Sequence, residues 1–295
     1  MKIKDIIKSL IPPLGLATYH HLVHGDTSKE SPGLKKRHEA FDKWNNGCAG
    51  DEIVIRPDLK IKASPDALDT FRYFSYISEE MIVELDLFLR LTKNCRCLLD
   101  VGALHAIFSL AFTKRNSACR ALALEPSPRS FQVILYNIYK NPDCKVTAVE
   151  KALGARKGKI AFHAEDFGVA HHFVADSLDS INKGAEIEVD TGDSITGEYG
   201  FIPDVIKIDV EGFEYECLVG LGGVLKAHRP LLFIEIHPDF IKGHGHSLAS
   251  IWELLSEVGY TLYDSNELKI DKEAFVRFDD VERIVCSCSE NIGEH

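Results

Sequence analysis

The sequence lacks several patterns that would by themselves assign it to a class of protein. No run of about 20 apolar residues occurs, so we expect no transmembrane segment. None of the eight cysteines belongs to a C-x-x-C motif, which excludes zinc-ribbon and thioredoxin-like sites. Internal repeats and low-complexity tracts are also missing, and the hydrophobic fraction of 45% is ordinary for a globular protein. We interpret the cysteines as buried, reduced thiols and expect a reducing, cytoplasmic location.

The sequence also lacks an excess of basic residues. It has 34 lysines and arginines against 45 aspartates and glutamates, a formal net charge of −11. Because an acidic protein repels phosphate backbones, we expect no sequence-independent binding of nucleic acid. The net charge does not exclude a nucleotide-like small molecule, which would bind in a local pocket.

The first 50 residues differ in composition from the rest of the chain. An amphipathic helix is predicted at the start, and two prolines at positions 12 and 13 end it. Its apolar stripe consists of Ile3, Ile6, Ile7, Leu10 and Ile11. This helix either docks on the body of the protein or lies through residues 2–11 on an anionic membrane, as in a peripheral protein. A polar linker with a short helix near residues 34–44 follows, so we divide the chain into an arm, 1–50, and a domain, 51–295, with its core at about 75–288.

From about residue 52 onward, short apolar runs alternate with amphipathic stretches. Two short strands are predicted first, followed by a helix that contains Leu85 and Leu89 at helical spacing. Further strands are predicted at 97–102, 120–126, 145–153, 204–210 and 230–236, with closing strands at 260–264 and 282–288. Helices are predicted near 107–115, 128–141, 214–225 and 248–258. This alternation is typical of an α/β sheet with right-handed crossovers, and an antiparallel insertion is predicted between residues 157 and 191.

Ligands of open α/β sheets bind beyond the carboxyl ends of the strands, so the residues there are candidate site residues. The strand at 97–102 leads into a turn in which Gly102 allows a positive φ or the close approach of a ligand. Residues 104 and 106 are Leu and Ala, and the two further glycines of a dinucleotide-binding G-x-G-x-x-G loop are missing, so this turn alone is a weak signal. His105 lies in the same loop and either touches a ligand or only fills the loop.

The next predicted strand ends in Glu125, 25 residues after Asp100. An acid at this position can bind both hydroxyls of a ribose, which suits an adenosine group. The alternative is that Glu125 is an exposed carboxylate at the start of a helix. Pro126 and Ser127 then turn the chain into that helix.

Charged residues interrupt two later strands. Lys207, Asp209 and Glu211 alternate along one of them, and Glu235 and His237 alternate along the next. Because side chains two residues apart share a side of a strand, we expect these two sets to meet at the edge of the sheet. The cluster is either a functional site or a structural ion cluster, and a divalent cation bound there is a less favoured alternative. Four other histidines are interpreted as loop residues at the surface rather than metal ligands: His171, His172, His244 and His246.

Several of these segments together resemble the FkbM-type S-adenosylmethionine-dependent methyltransferases. They are DVGALHAIFSL, LALEPSP, KALG, VDTGDSI, DVIKIDVEGFEYECLVGL and LLFIEIHP, and they span roughly residues 75–287. The IKIDVEGxE segment is the most specific. In the first loop the family usually has D-V-G-A-N-x-G-x-x-S-L, where this chain has Leu104 for the asparagine and Ala106 for the second glycine. The resemblance implies an α/β fold with the Rossmann-like sheet of class I methyltransferases, mostly parallel, with seven strands and helices on both faces. The N-terminal helical arm predicted above precedes it.

The resemblance further implies S-adenosylmethionine as the cofactor and a hydroxyl acceptor on a sugar, glycolipid or small metabolite. By position, the candidate catalytic residues are Asp209, Glu211, Glu235 and His237. The residues expected to bind the cofactor are Asp100, Gly102, Ala103, Leu104, His105, Glu125, Pro126, Ser127, Ala152, Leu153 and Asp209. Two alternatives remain: a non-catalytic relative that binds the cofactor or a partner, and a nicotinamide-dependent oxidoreductase.

Overall fold

A computed structural model describes residues 51–56, 59–68, 70, 80–162, 185–289 and 292. The predicted amphipathic helix, the linker with its short helix, and residues 163–184 of the predicted insertion lie outside the described residues. Among the described helices, none has the length and apolar character needed to cross a bilayer.

The strands are short and follow the apolar runs of the sequence. In chain order they are β1 (Glu52–Arg56), β2 (Leu59–Lys62), β3 (Cys97–Val101), β4 (Arg120–Leu124), β5 (Val146–Val149), β6 (Ala152–Leu153), β7 (Gly158–Phe162), β8 (Ala185–Asp190), β9 (Val205–Ile208), β10 (Leu231–Ile236), β11 (Thr261–Tyr263), β12 (Lys269–Ile270) and β13 (Glu282–Ser287).

The helices are α1 (Glu80–Leu91), α2 (Ile107–Lys114), α3 (Pro128–Lys140), α4 (Gly192–Glu198), α5 (Glu214–Gly220), α6 (Gly222–His228), α7 (Pro238–Gly243), α8 (Leu248–Val258) and α9 (Lys272–Phe275). Side-chain caps begin several of them. Ser127 at the start of α3 and Thr191 at the start of α4 each accept a hydrogen bond from the backbone N–H three residues later.

The main sheet has eight strands in the described part of the chain, in the order β12-β11-β13-β10-β9-β3-β4-β5. From β10 to β5 each strand pairs parallel with its neighbour, whereas β13 pairs antiparallel with β10 and β11, and β12 antiparallel with β11. The prediction of a mostly parallel, seven-stranded sheet is therefore wrong in detail: the sheet is mixed and has an eighth strand. That strand exists because the Asp264 side chain accepts the backbone N–H groups of Asn266 and Leu268, which closes a tight hairpin at the sheet edge.

Helices cover both faces of the sheet, as predicted. Neighbouring residues of β3 belong to two different core clusters: Leu98 packs with α1 and α2, and Leu99 packs with residues of α5, α6 and α8. Since successive side chains of a strand point to opposite faces, these are the cores of the two faces. Strands buried on both faces have to be apolar throughout, which is why they read as uninterrupted hydrophobic runs in the sequence.

A second, smaller sheet has the order β6-β8-β7. The sequence predicts one strand over 145–153, but the structure divides it between β5 of the main sheet and β6 of the small one. The chain turns at Lys151, whose N–H donates to the carbonyl of Val149. The β7–β8 pair is antiparallel, in line with the predicted insertion. The small sheet thereby stands next to the carboxyl ends of β3 and β4.

Candidate active site

The loop between β3 and α2 fixes the first wall of the site. Gly102 has a φ of 77°, and a Cβ atom at this position would lie 1.8 Å from the carbonyl oxygen of Asp209. Only glycine allows the turn after β3 to contact the end of β9 so closely. Leu104 and Ala106 also have positive φ angles, of 50° and 57°. The two departures from the family pattern therefore fall on residues with a left-handed backbone.

Asp100 orders this loop from inside the protein. It is buried, and one of its oxygens accepts a hydrogen bond of 2.7 Å from the hydroxyl of Ser109 on α2. Burial raises the pKa of Asp100, against the opposing effect of the nearby Lys207. Through this contact Asp100 holds the turn after β3 against α2.

Glu125 is held at the tip of β4 by backbone donors. Its Oε2 accepts the N–H of Leu104 at 2.8 Å and its Oε1 accepts the N–H of Ser127 at 2.9 Å. Burial raises the pKa of Glu125 to about 7, although both hydrogen bonds favour the ionised form. The residue is buried, so the alternative of an exposed carboxylate at a helix start is wrong.

A cavity of about 340 Å³ lies between the ends of β3, β4 and β9 and the small sheet. Its wall contains most of the residues predicted to bind the cofactor: Gly102, Leu104, Glu125, Pro126, Ala152, Leu153 and Asp209. Four others are not part of this wall: Asp100, Ala103, His105 and Ser127. His105 is buried, and burial lowers the pKa of its imidazole to about 4, while its carbonyl accepts a hydrogen bond from Asn137 on α3.

Three of the four predicted catalytic residues converge at the edge of the cavity. Asp209, Glu211 and His237 each offer a ligand atom, and these atoms lie within 4.8 Å of one another. Glu211 and Gly212 form a left-handed turn after β9, with φ angles of 53° and 106°. A Cβ atom at Gly212 would lie 2.4 Å from the Cβ of Phe240, so this turn also requires glycine.

His237 is buried and hydrogen-bonded to an acid that the sequence prediction missed. Its Nδ1 lies 2.7 Å from Oε1 of Glu214, which is fully buried in the first turn of α5. Its Nε2 lies 3.6 Å from Oε2 of Glu211. Burial alone would lower the pKa of His237, but the hydrogen bond to Glu214 and the charge of Asp209 raise it to about 9. The only sequence signal for Glu214 is its place in the IKIDVEGxE segment.

Glu235, the fourth predicted catalytic residue, is directed elsewhere. It accepts a hydrogen bond of 2.9 Å from Arg283 on β13, and Arg283 also donates to Glu84 on α1. Lys207 donates to Oδ2 of Asp209 at 3.1 Å and lies 4.0 Å from Glu84. Burial and the neighbouring Asp209 raise the pKa of Glu235 to about 8. The structure thus brings three of these four residues together, and Glu235 belongs to an ion network beside them.

The sequence did not predict a role for Glu84 and Arg283, because no local pattern of residues indicates which side chains they pair with. It did predict one for Lys207, since a charge inside an apolar strand needs a partner. Burial alone lowers the pKa of Lys207, but Asp209 and Glu84 outweigh this and raise it.

A second histidine–glutamate pair lies on the other side of α5. Nε2 of His246 is 2.8 Å from Oε1 of Glu216, and the imidazole stacks on Tyr215 at 4.2 Å between ring centres. His244 similarly contacts the ring of Phe213. Both histidines lie in the loop after α7, as predicted. Their side chains contact α5 and Phe213, which directly precedes it.

Residues 100–262, more than half of the chain, match the family model of the methyltransferase FkbM domain. The chain belongs to the FkbM methyltransferase domain family. Among curated proteins, no significant match is found.

Three of the solved structures similar to this FkbM-family chain are 12–14% identical to it. An FkbM methyltransferase from Methylobacillus flagellatus KT is 14% identical, with a TM-score of 0.44 over 86% of this chain and 60% of that one. A putative caffeoyl-CoA O-methyltransferase from Staphylococcus aureus is 12% identical, with a TM-score of 0.41 over 86% and 99%. An O-methyltransferase from Bacillus cereus in complex with SAH is 13% identical, with a TM-score of 0.36 over 91% and 94%. The chain thus spans less than two thirds of the Methylobacillus protein.

Proposed function

We propose that this FkbM-family protein transfers a methyl group from S-adenosylmethionine to a hydroxyl oxygen of a sugar, glycolipid or small metabolite. One observation carries the proposal: a single cavity joins the carboxylate of Glu125 to those of Asp209 and Glu211. An adenosine group needs a ribose-binding acid at one end of its site, and a sulfonium is favoured by negative charge at the other.

The residues of the cavity fit this cofactor. Glu125 keeps lone pairs on both oxygens for the ribose hydroxyls, beside the two backbone donors that hold it. Pro126, Ala152 and Leu153 offer apolar wall for an adenine ring. The bound cofactor supplies an activated methyl group on a positively charged sulfur.

The chain's own residues then have to orient the acceptor hydroxyl and take its proton. We assign this role to Asp209, which is part of the cavity wall, because His237 has a pKa of about 9 and is protonated at neutral pH. Burial alone would raise the pKa of Asp209, but Lys207 and His237 lower it, so the carboxylate is ionised at neutral pH and can accept a hydrogen bond from a hydroxyl. A neutral, hydroxylated acceptor suits this acidic edge better than a polyanion.

Calorimetric titration with S-adenosylmethionine and S-adenosylhomocysteine tests the cofactor assignment. We expect both to bind, and Glu125→Ala to weaken binding at least tenfold because the ribose hydroxyls lose their acceptor. Glu150→Ala is the matched control, since Glu150 is exposed at the same edge and is not part of the cavity wall. The absence of both binding heat and a thermal shift with either compound would overturn the proposal. Binding of NAD in their place would select the oxidoreductase.

Labelled S-adenosylmethionine and a panel of glycans, glycolipids and small hydroxylated metabolites test the acceptor class. We expect label on an oxygen of a neutral hydroxylated compound. With that acceptor, Asp209→Asn should lower kcat far more than it weakens cofactor binding. Label found on nitrogen or carbon, or an Asp209→Asn variant with unchanged kcat, would contradict the assignment of this edge to O-methylation.

A further inference from the structure

Asp209, Glu211 and His237 form a three-residue cluster at the edge of the cavity, here called the DEH cluster. Asp209 directly follows β9, Glu211 lies in the left-handed turn after it, and His237 directly follows β10. One ligand atom from each lies within 4.8 Å of the other two. Metal–ligand bonds of about 2.0–2.6 Å place the ligand atoms of one ion at roughly such separations.

The imidazole of His237 is oriented as a metal ligand. The residue is 5% exposed, and its Nδ1 is fixed by Glu214, which is 0% exposed. With Nδ1–H donating to this carboxylate, Nε2 faces the two carboxylates of the DEH cluster, and a metal ion bound at Nε2 would take the place of its proton. Nε2 makes no hydrogen bond within the described part of the chain, because Glu211 at 3.6 Å lies beyond that range. In metal sites, the ring nitrogen of histidine that does not bind the metal usually donates its hydrogen to another group, often a carboxylate. Glu214 has this position beside His237.

The two carboxylates of the cluster keep acceptor atoms for a cation. Lys207 binds Oδ2 of Asp209, and Oδ1 has no hydrogen bond among the residues that the structure describes. The Glu211 side chain is 30% exposed, so the cluster opens toward the cavity instead of being sealed inside the protein. Three protein ligands leave coordination positions for oxygens of another molecule.

We propose that the DEH cluster binds a divalent first-row transition-metal ion, with Asp209, Glu211 and His237 as ligands and Glu214 holding the imidazole. Two carboxylates with one imidazole suit Mn²⁺, Fe²⁺ or Zn²⁺, whereas Ca²⁺ prefers oxygen ligands alone. The open positions would hold the hydroxyl oxygen of the acceptor, and this part rests on the proposed methyl transfer. Binding of the ion itself does not depend on that function.

Titration of the full, chelator-treated chain with MnCl₂, with free Mn²⁺ followed by electron paramagnetic resonance, tests the proposal. We expect one Mn²⁺ per chain, and at least tenfold weaker binding in both Asp209→Asn and His237→Gln. Glu214→Gln should weaken binding about tenfold to a hundredfold by loosening the imidazole. His246→Gln is the matched control, because this histidine is also paired with a glutamate of α5 but lies outside the DEH cluster. The Mn²⁺ affinity of this variant should equal that of the wild type.

A measurement on the unaltered chain guards against variants that fail to fold. Pulsed electron paramagnetic resonance of the Mn²⁺-loaded protein should show ¹⁴N coupling from one directly bound imidazole, and its absence would overturn the proposal. A Kd for Mn²⁺ above about 1 mM would also overturn the proposal, as would equal Mn²⁺ affinities of His237→Gln and His246→Gln.

The two proposals for this site fail separately. If S-adenosylmethionine binds to the chelator-treated protein but Mn²⁺ does not bind, only the metal site is wrong. If Mn²⁺ binds through His237 but neither S-adenosylmethionine nor S-adenosylhomocysteine binds, the metal site stands and the methyl transfer is wrong.

Discussion

Leu104 and Ala106 hold backbone conformations that residues other than glycine and asparagine rarely adopt. Each left-handed residue of this kind costs roughly 1–2 kcal/mol. The methyl group of Ala106 is fully buried in a small core cluster with Ala123 and Ile134, and it is not part of the cavity wall. Both departures from the family pattern therefore strain the loop, but only Leu104 is part of the cavity wall.

At Leu104, the strain can be relieved by the residue that the family pattern has there. We expect Leu104→Asn to raise the free energy of unfolding of the ligand-free protein by about 1 kcal/mol, since asparagine tolerates a φ of 50°. Urea unfolding followed by circular dichroism measures this. Leu104→Val should shift the midpoint the other way, because a β-branched residue is worse in this conformation, and equal midpoints for the two variants would contradict the argument.

We expect Glu125 to make the affinity for S-adenosylmethionine depend on pH. Its pKa of about 7 in the folded protein means that the carboxylate is mostly protonated at pH 6 and mostly ionised at pH 8. Since ribose hydroxyls donate to the ionised form, affinity should rise about tenfold over this range. Calorimetry at pH 6, 7 and 8 on the wild type and on Glu125→Gln measures it, and the ratio of the two affinities should change with pH. A constant ratio would rule out Glu125 as the titrating group.

The same pKa has the opposite effect on the stability of the ligand-free protein. The pKa of Glu125 is raised by folding from an ordinary value of 4.5 to about 7. Its contribution to stability is thus fully present below about pH 4.5 and is lost as the pH rises to about 7. Cofactor binding and fold stability consequently favour different protonation states of this residue.

At the scale of elements, α3 connects the β1–β2 hairpin to the loop between β3 and α2. Asn137 and Asn141 are four residues apart and share one face of the helix. Asn137 accepts the N–H of Ser64 and donates to the carbonyl of His105, while Asn141 binds both backbone groups of Lys62. The helix thus gives the hairpin edge the hydrogen bonds that a neighbouring strand would give.

Removal of Asn137 should destabilise the protein by about 2–4 kcal/mol. Asn137→Ala leaves a buried N–H at Ser64 and a buried carbonyl at His105 without partners, and each costs about 1–3 kcal/mol. Urea unfolding of Asn137→Ala is compared with that of Gln132→Ala, an exposed position on the same helix, whose midpoint should hardly move. Similar midpoints for both variants would show that the hairpin does not depend on this contact.

At the scale of the whole molecule, a buried ion network crosses the sheet beneath the candidate site. Glu84 of α1, Lys207 of β9, Glu235 of β10 and Arg283 of β13 come from four elements and lie in contact. A buried charge is tolerated only when it is paired, so the network requires these elements to keep their relative positions. It thereby fixes β9 and β10, which carry Asp209 and His237.

Removal of the Lys207 charge from this network should destabilise the fold far more than removal of a surface lysine. We expect Lys207→Met to lower the free energy of unfolding by about 3–5 kcal/mol, because Asp209 then loses its lysine partner and Glu84 keeps only Arg283. Lys159→Met removes an exposed ion pair with Glu186 and should leave the urea midpoint unchanged. If both variants unfold at the same urea concentration, the network does not support the fold.

The strand–helix alternation, the acid at the tip of β4 and the charged ends of β9 and β10 could be predicted from the sequence. These features are local: an apolar run buried on both faces, or a charge at a strand end, is visible in a few consecutive residues. The family resemblance, which the FkbM domain match confirms, rests on the same short segments.

Only the tertiary structure decided which charged side chains meet. Glu235 and His237 share one side of a strand in the sequence pattern, yet Arg283 binds the first and Glu214 the second. The division of the predicted strand at 145–153 between two sheets likewise depends on distant partners. Pairing of this kind depends on distances between elements far apart in the chain, and no local pattern of residues carries that information.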